Sequence, residues 1–164
     1  GHTIQASEPA DTRDTITLDK QTWTLQQFHF HSPSENTVHG KKYAMEMHLV
    51  HKNAAGELTV VAVMFDKGAA NPELEKLWSV MPQLAEQNVS IKGDLNLNTL
   101  LPEDKTYFRF SGSLTTPPCS EGVTWIVLKH PMTVSAEQLD KFTHTMHHDN
   151  NRPVQSLHGR VVVE

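Results

Sequence analysis

The chain has 164 residues, 37% of them apolar and 20% charged, with a formal net charge of −5. That length makes one domain with a sizeable core the economical reading. The longest basic run is Lys41-Lys42 and no apolar stretch approaches a bilayer span, so neither nucleic acid nor a membrane is an expected partner.

Strand patterns dominate from the start. Thr15–Asp19 alternates around Ile16 and Leu18, and Thr22–His31 carries Trp23, Leu25, Phe28 and Phe30 among polar residues. Tyr43–His51 and Leu58–Phe65 follow, joined by a hairpin-like Lys52–Glu57. Asn71-Pro72-Glu73 is a helix start, and Leu74, Leu77, Trp78 and Met81 continue at helical spacing until Pro82. Thr106–Phe110 and Val123–Lys129 read as strands, Ser135-Ala136-Glu137-Gln138 as a capping box opening a second helix, and Arg160–Val163 as a short last strand. The expected class is mostly β (α+β), a mainly antiparallel sheet with peripheral helices.

Histidine is the unusual residue, with eleven copies against a single cysteine, Cys119, which leaves the redox compartment undecided. His29 and His31 share one strand face while Phe28 and Phe30 share the other. Catalytic zinc takes three protein ligands and keeps one position open. His48, on the next strand, supplies the third; His51 falls on the opposite face. Gln27 and Glu46 each precede a histidine by two residues, share its face, and suit a partner for the imidazole's other nitrogen. His144, His147 and His148 also cluster, in what reads as an exposed polar turn. Two chemistries stay open at this point. One is a zinc enzyme that hydrates or hydrolyses. The other is a cupin-like iron or manganese site, with Glu35 as a fourth ligand.

Residues 111–129, S-G-S-L-T-T-P-P-C-S-E-G-V-T-W-I-V-L-K, separate the two. With Q-F-H-F-H, S-E-N-T-V-H-G-K-K-Y-A-M-E-M-H-L-V-H and N-N-R-P-V-Q, this stretch resembles the α-class carbonic anhydrases from Gly1 to about Arg160, in the same order. The resemblance implies that family's fold, a large twisted, mainly antiparallel central sheet with a few peripheral helices. It also implies Zn2+ as cofactor and reversible hydration of carbon dioxide to bicarbonate through zinc-bound hydroxide.

By that resemblance His29, His31 and His48 are the zinc ligands. Gln27 and Glu46 hold ligand imidazoles, and Asn150 supports another through its backbone. Thr115 matches the threonine that accepts from zinc-bound hydroxide and donates to a glutamate, here Glu35. Val50, Val60, Leu114, Thr116, Val123 and Trp125 match the substrate pocket, and Arg152 a structural position. His2 matches the proton shuttle, with Gln5 among the polar residues that order the water chain.

The match starts part-way into the family's pattern. An amino-terminal segment carried elsewhere, in a longer precursor or a second chain, is therefore expected. The bacterial members' cysteine at the Cys119 position implies a disulfide to that segment and a periplasmic or secreted location. The short Ser32-Pro33-Ser34 connection also resembles bacterial members, among which homodimers occur. A catalytically silent binding domain, or an incomplete fragment, is the competing reading from another class.

Overall fold

One long strand pairs with three others. In the computed structural model, which describes residues 5–7, 14–79, 89–90, 97–146 and 149–164, that strand is Gln21–His31. The strands in chain order are β1 (Gln5–Ser7), β2 (Thr15–Leu18), β3 (Gln21–His31), β4 (Thr37–Val38), β5 (Lys41–Lys42), β6 (Met45–Lys52), β7 (Leu58–Lys67), β8 (Val89–Ser90), β9 (Tyr107–Ser113), β10 (Glu121–Leu128) and β11 (Met132–Val134). The helices are α1 (Pro72–Trp78) and α2 (Ala136–Met146), with a 3-10 turn at Leu97–Leu100. The main sheet runs β8-β1-β3-β6-β7-β10-β9, and β2 and β11 add to β3 and β7. Most pairings are antiparallel; β10 and β11 run parallel to β7, and β8 parallel to β1. This is an open, mainly antiparallel sheet, which sets aside a cupin barrel. No helix among the described residues is long and apolar enough to cross a membrane.

Alternation along β6 gives the sheet its two faces. Met45, Met47 and Leu49 join Phe28 and Phe30 of β3 in the larger core, against Leu74, Leu77 and Trp78 of α1 and Leu139, Phe142 and Met146 of α2. Glu46, His48 and Val50 alternate with them and face the other side. In β3 the register slips between Leu25 and Gln27, a bulge. The extra residue lets Leu25 and Phe28, three apart, both enter the larger core.

Both helices begin as their residues dictate. The Asn71 side chain accepts from the amides of Glu73 (3.2 Å) and Leu74 (3.4 Å). The capping box forms: Gln138 N–H donates to Ser135 Oγ, and Ser135 N–H to Gln138 Oε1, each at 3.1 Å. Gln138 also ties the helices together, its Nε2 donating to Asn71 O at 2.8 Å while Trp78 Nε1 donates to Gln138 O at 2.8 Å.

Two expectations are adjusted, and one element is added. The first helix ends at Trp78, with Ser79 as its cap; Met81 and Pro82 lie outside the described residues. The Arg160–Val163 strand is reduced to one bridge, Arg109 with Val163. The β4/β5 ribbon was not anticipated. Its turn residues His39 and Gly40 both have positive φ, 50° and 77°, the requirement of a two-residue hairpin turn.

Candidate metal centre

The register sets the site. His29 pairs with His48 across β3 and β6, and His31 with Glu46. All four are buried, at 8%, 1%, 0% and 0% exposure respectively. The imidazole centroids are 5.0 Å apart for His29 and His31, 5.3 Å for His29 and His48, and 4.7 Å for His31 and His48.

Each imidazole has one nitrogen occupied by a different partner. His29 Nδ1 lies 2.7 Å from Gln27 Oε1, and His31 Nδ1 lies 3.0 Å from the main-chain oxygen of Asn150. Both partners are acceptors, so each Nδ1 carries the proton and each Nε2 presents a lone pair. His48 is turned the other way, with Nε2 against Glu46 Oε2. That carboxylate already accepts from Glu35 N (3.1 Å), Asn36 N (2.9 Å) and Asn36 Nδ2 (2.8 Å). It therefore acts as an acceptor, His48 Nε2–H donates to it, and Nδ1 is left bare.

The ring nitrogens of the three histidines approach within 4.8 Å of one another. One of them, His31 Nε2, is buried with no hydrogen-bond partner, a condition that costs about 1–3 kcal/mol unless something else satisfies the atom. Three neutral imidazole donors converging in this way fit a zinc ion in a site that keeps a position open. Burial drives His29 and His48 well below the usual imidazole range. The neighbouring histidines push both the same way, and Glu35 partly offsets this at His48. Burial pushes the Glu46 carboxyl up, against the hydrogen bonds from Asn36 and Glu35 and the field of His31. Both histidines are thus held in the deprotonated form that a metal requires.

Glu35 stands beside the cage. Its Oε2 accepts from the Arg152 amide at 2.6 Å. Its Oε1 is 3.3 Å from His31 Nε2 and 3.8 Å from His48 Nδ1, and makes no hydrogen bond. The implied bond from Thr115 to Glu35 is therefore not made to that oxygen. Thr115 is half-buried on the loop after β9, and with Glu35 and Trp125 it lines a cavity of about 490 Å³. Thr116, next on that loop, accepts from the Cys119 amide at 2.9 Å.

Val50, Val60, Val123 and Trp125 are buried together in the smaller apolar cluster, with Leu114 packed against it. The cluster meets the cage where the His48 ring sits edge-on to Trp125, at 4.9 Å and 79°. Gln5 lies opposite His29 in the β1/β3 register. His2, His147 and His148 lie outside the described residues, and His144 is exposed on α2. His51 is buried on the opposite face, as its position in β6 requires, its Nδ1 donating to Leu49 O at 2.9 Å.

One contributor, Asn36, was not found by reading the sequence, and Arg152 was found only as a structural position, without its contact to Glu35. Asn36 gives Glu46 two hydrogen bonds, and Arg152 orients Glu35 through its main-chain amide. Only Asn36, directly after Glu35, had a side chain that could have signalled its role.

The sequence model described as eukaryotic-type carbonic anhydrase matches residues 1–164. The chain belongs to that family. It is 70% identical over its whole length to a carbonic anhydrase of Klebsiella pneumoniae, covering 67% of that protein. It is 52% identical over 163 residues to one from Pectobacterium carotovorum, covering 66% of it. Among solved structures it resembles the α-carbonic anhydrase of Thermovibrio ammonificans in complex with sulfanilamide. There the TM-score is 0.92 and the identity 50%, over 99% of this chain and 71% of the other. The chain spans about two thirds of the length of the curated relatives it matches. Within the family, the three-histidine cage is the feature that bears on chemistry.

Proposed function

We propose that this chain catalyses the zinc-dependent, reversible hydration of carbon dioxide to bicarbonate and a proton. The observation that carries the reading is the convergence of His29 Nε2, His31 Nε2 and His48 Nδ1, each imidazole's other nitrogen being held by its own acceptor. Zinc in such a site supplies a nucleophile at neutral pH by lowering the pKa of a coordinated water to about 7.

The chain's own residues do the rest. Gln27, Glu46 and the Asn150 carbonyl fix the three tautomers, so no proton competes for the lone pairs. Glu35 and Thr115, which line one cavity, are assigned to orient the reacting oxygen, and the Arg152 amide anchors Glu35. The apolar cluster of Val50, Val60, Leu114, Val123 and Trp125, which reaches the cavity at Trp125 and meets the cage at His48, is assigned to receive the small uncharged substrate. Thr116 borders it. His2 is assigned to carry the proton from the site to buffer.

The same reading places the protein in the periplasm or secreted. Cys119, half-exposed on the loop after Thr116, is the cysteine that would pair with a segment or chain outside these residues. Non-reducing intact-mass measurement tests that pairing and any dimer. Stopped-flow hydration assays on the zinc-loaded chain test the activity: catalysis by the wild type and its loss in His48→Ala are expected, and full activity in His48→Ala would overturn the reading.

A further inference from the structure

We propose that Gly112 is a positioning residue for the metal-facing nitrogen of His48, acting through the indole of Trp125. β9 and β10 pair with Gly112 opposite Val123 and Phe110 opposite Trp125. The indole lies back along β9. Its Nε1 donates to Ser113 O at 3.0 Å, and its ring stacks on Phe110 with centroids 6.2 Å apart and planes 5° from parallel. That path crosses Gly112. A Cβ at this position would stand 2.9 Å from Trp125 Cδ1, closer than real Cβ contacts come, and 3.1 Å from Nε1. Gly112 is not among the positive-φ glycines, so its backbone suits any residue. Space is what the position requires.

The same ring meets His48 edge-on at 4.9 Å. His48 is anchored by Nε2 to Glu46, so a push from the indole turns the imidazole about that bond. Its Nδ1 then points away from the place it shares with His29 and His31. Phe110 lies beside the indole, parallel and offset, and the ring borders the cavity that Gly112 and Phe110 also line, so the hydrogen bond to Ser113 O is what holds it in place. Gly112 thus sets the direction of a ligand atom it does not touch.

The inference rests on the three-histidine reading, and the experiment separates the two. Zinc competition titration and the visible absorption of cobalt-loaded protein are measured first on the wild type. A wild type that takes up no cobalt overturns the metal reading and this inference with it. Given a wild type that binds, Gly112→Ala is expected to weaken zinc about tenfold and displace the cobalt band. The same change in a Trp125→Phe background, whose ring has no N–H tether to Ser113, is expected to add little to either readout. Unchanged affinity and spectrum in Gly112→Ala would overturn the proposal. So would an equal loss in both backgrounds, which would place the effect on Arg160 Nη1, 3.4 Å from the added Cβ, or on general packing. Should Gly112→Ala not fold, Trp125→Phe alone decides: a displaced cobalt band supports the indole's hold on His48, and an unchanged band contradicts it.

Discussion

His31 donates its Nδ1–H to the main-chain carbonyl of Asn150 over 3.0 Å, a contact that spans 119 positions of sequence. The Asn150 side chain brackets the same histidine, its Oδ1 accepting from Ser32 N at 2.8 Å and its Nδ2 donating to Phe30 O at 2.9 Å. The strand that carries two candidate ligands is therefore pinned on both sides of His31 by one distant residue.

Asn150→Ala keeps the carbonyl but frees it to drift and leaves two main-chain groups without their partner. The expected cost is roughly 1–3 kcal/mol in stability, with zinc affinity about tenfold weaker. Urea unfolding and zinc competition titration measure the two, and Asn150→Asp, which keeps the acceptor, is expected to lose less.

Glu46→Gln preserves volume and removes the charge. The substituted amide has one acceptor oxygen for His48 Nε2 and the three donors from Glu35 and Asn36, and its own N–H groups face donors. Zinc affinity is expected to fall about 10–100-fold. Equilibrium zinc titration checks this, and unchanged affinity would contradict the role given to Glu46.

Buried His29, His48 and His51, all held below their ordinary range by burial, give the metal-free chain its pH dependence, and His29, whose partner Gln27 does not titrate, is the simplest to isolate. Its ordinary value is 6.5, and burial in the folded chain lowers it well below that. Between the two values the unfolded chain binds more protons than the folded one, so stability rises with pH across that window and falls as pH drops below 6.5. Glu46, shifted upward, contributes an opposite slope above its ordinary value of 4.5. Subtracting the His29→Gln profile isolates the histidine. Urea midpoints are expected to fall more steeply on acidification in the wild type than in His29→Gln.

The apolar face behind β3 supports the site without touching it. Phe142 stacks on Trp78 at 5.7 Å and meets Phe30 edge-on at 6.2 Å, and Phe30 lies between His29 and His31 in sequence. Phe142→Ala is expected to cost about 3–5 kcal/mol of unfolding free energy. Denaturant unfolding measures it, and a cost near zero would show that α2 does not brace the strand.

Much of this was legible in the residues because the informative spacing is two. Gln27, His29 and His31 share a face of one strand, as do Glu46 and His48 of the next, and pairing of β3 with β6 brings the two sets together. The bulge at Gln26 was not legible, since nothing in Thr24-Leu25-Gln26-Gln27 marks where alternation slips. Arg152 acts through an amide that every residue except proline carries, so its hold on Glu35 leaves no trace in side-chain chemistry. Arg160–Val163 has the composition of a strand, but among the described residues its β-pairing is one bridge, Val163 with Arg109. β-propensity without a partner of matching length does not make a strand. Gly112 was equally silent, because its requirement is set by an indole on the neighbouring strand.

The most direct test of the central claim is the zinc content of the chain after dialysis against metal-free buffer, by elemental analysis. The wild type is expected to retain one equivalent. His29→Ala, His31→Ala and His48→Ala are each expected to retain almost none, and Glu35→Gln is expected to keep it. Full retention by His48→Ala, or loss of zinc from Glu35→Gln, would contradict a cage made of three histidines.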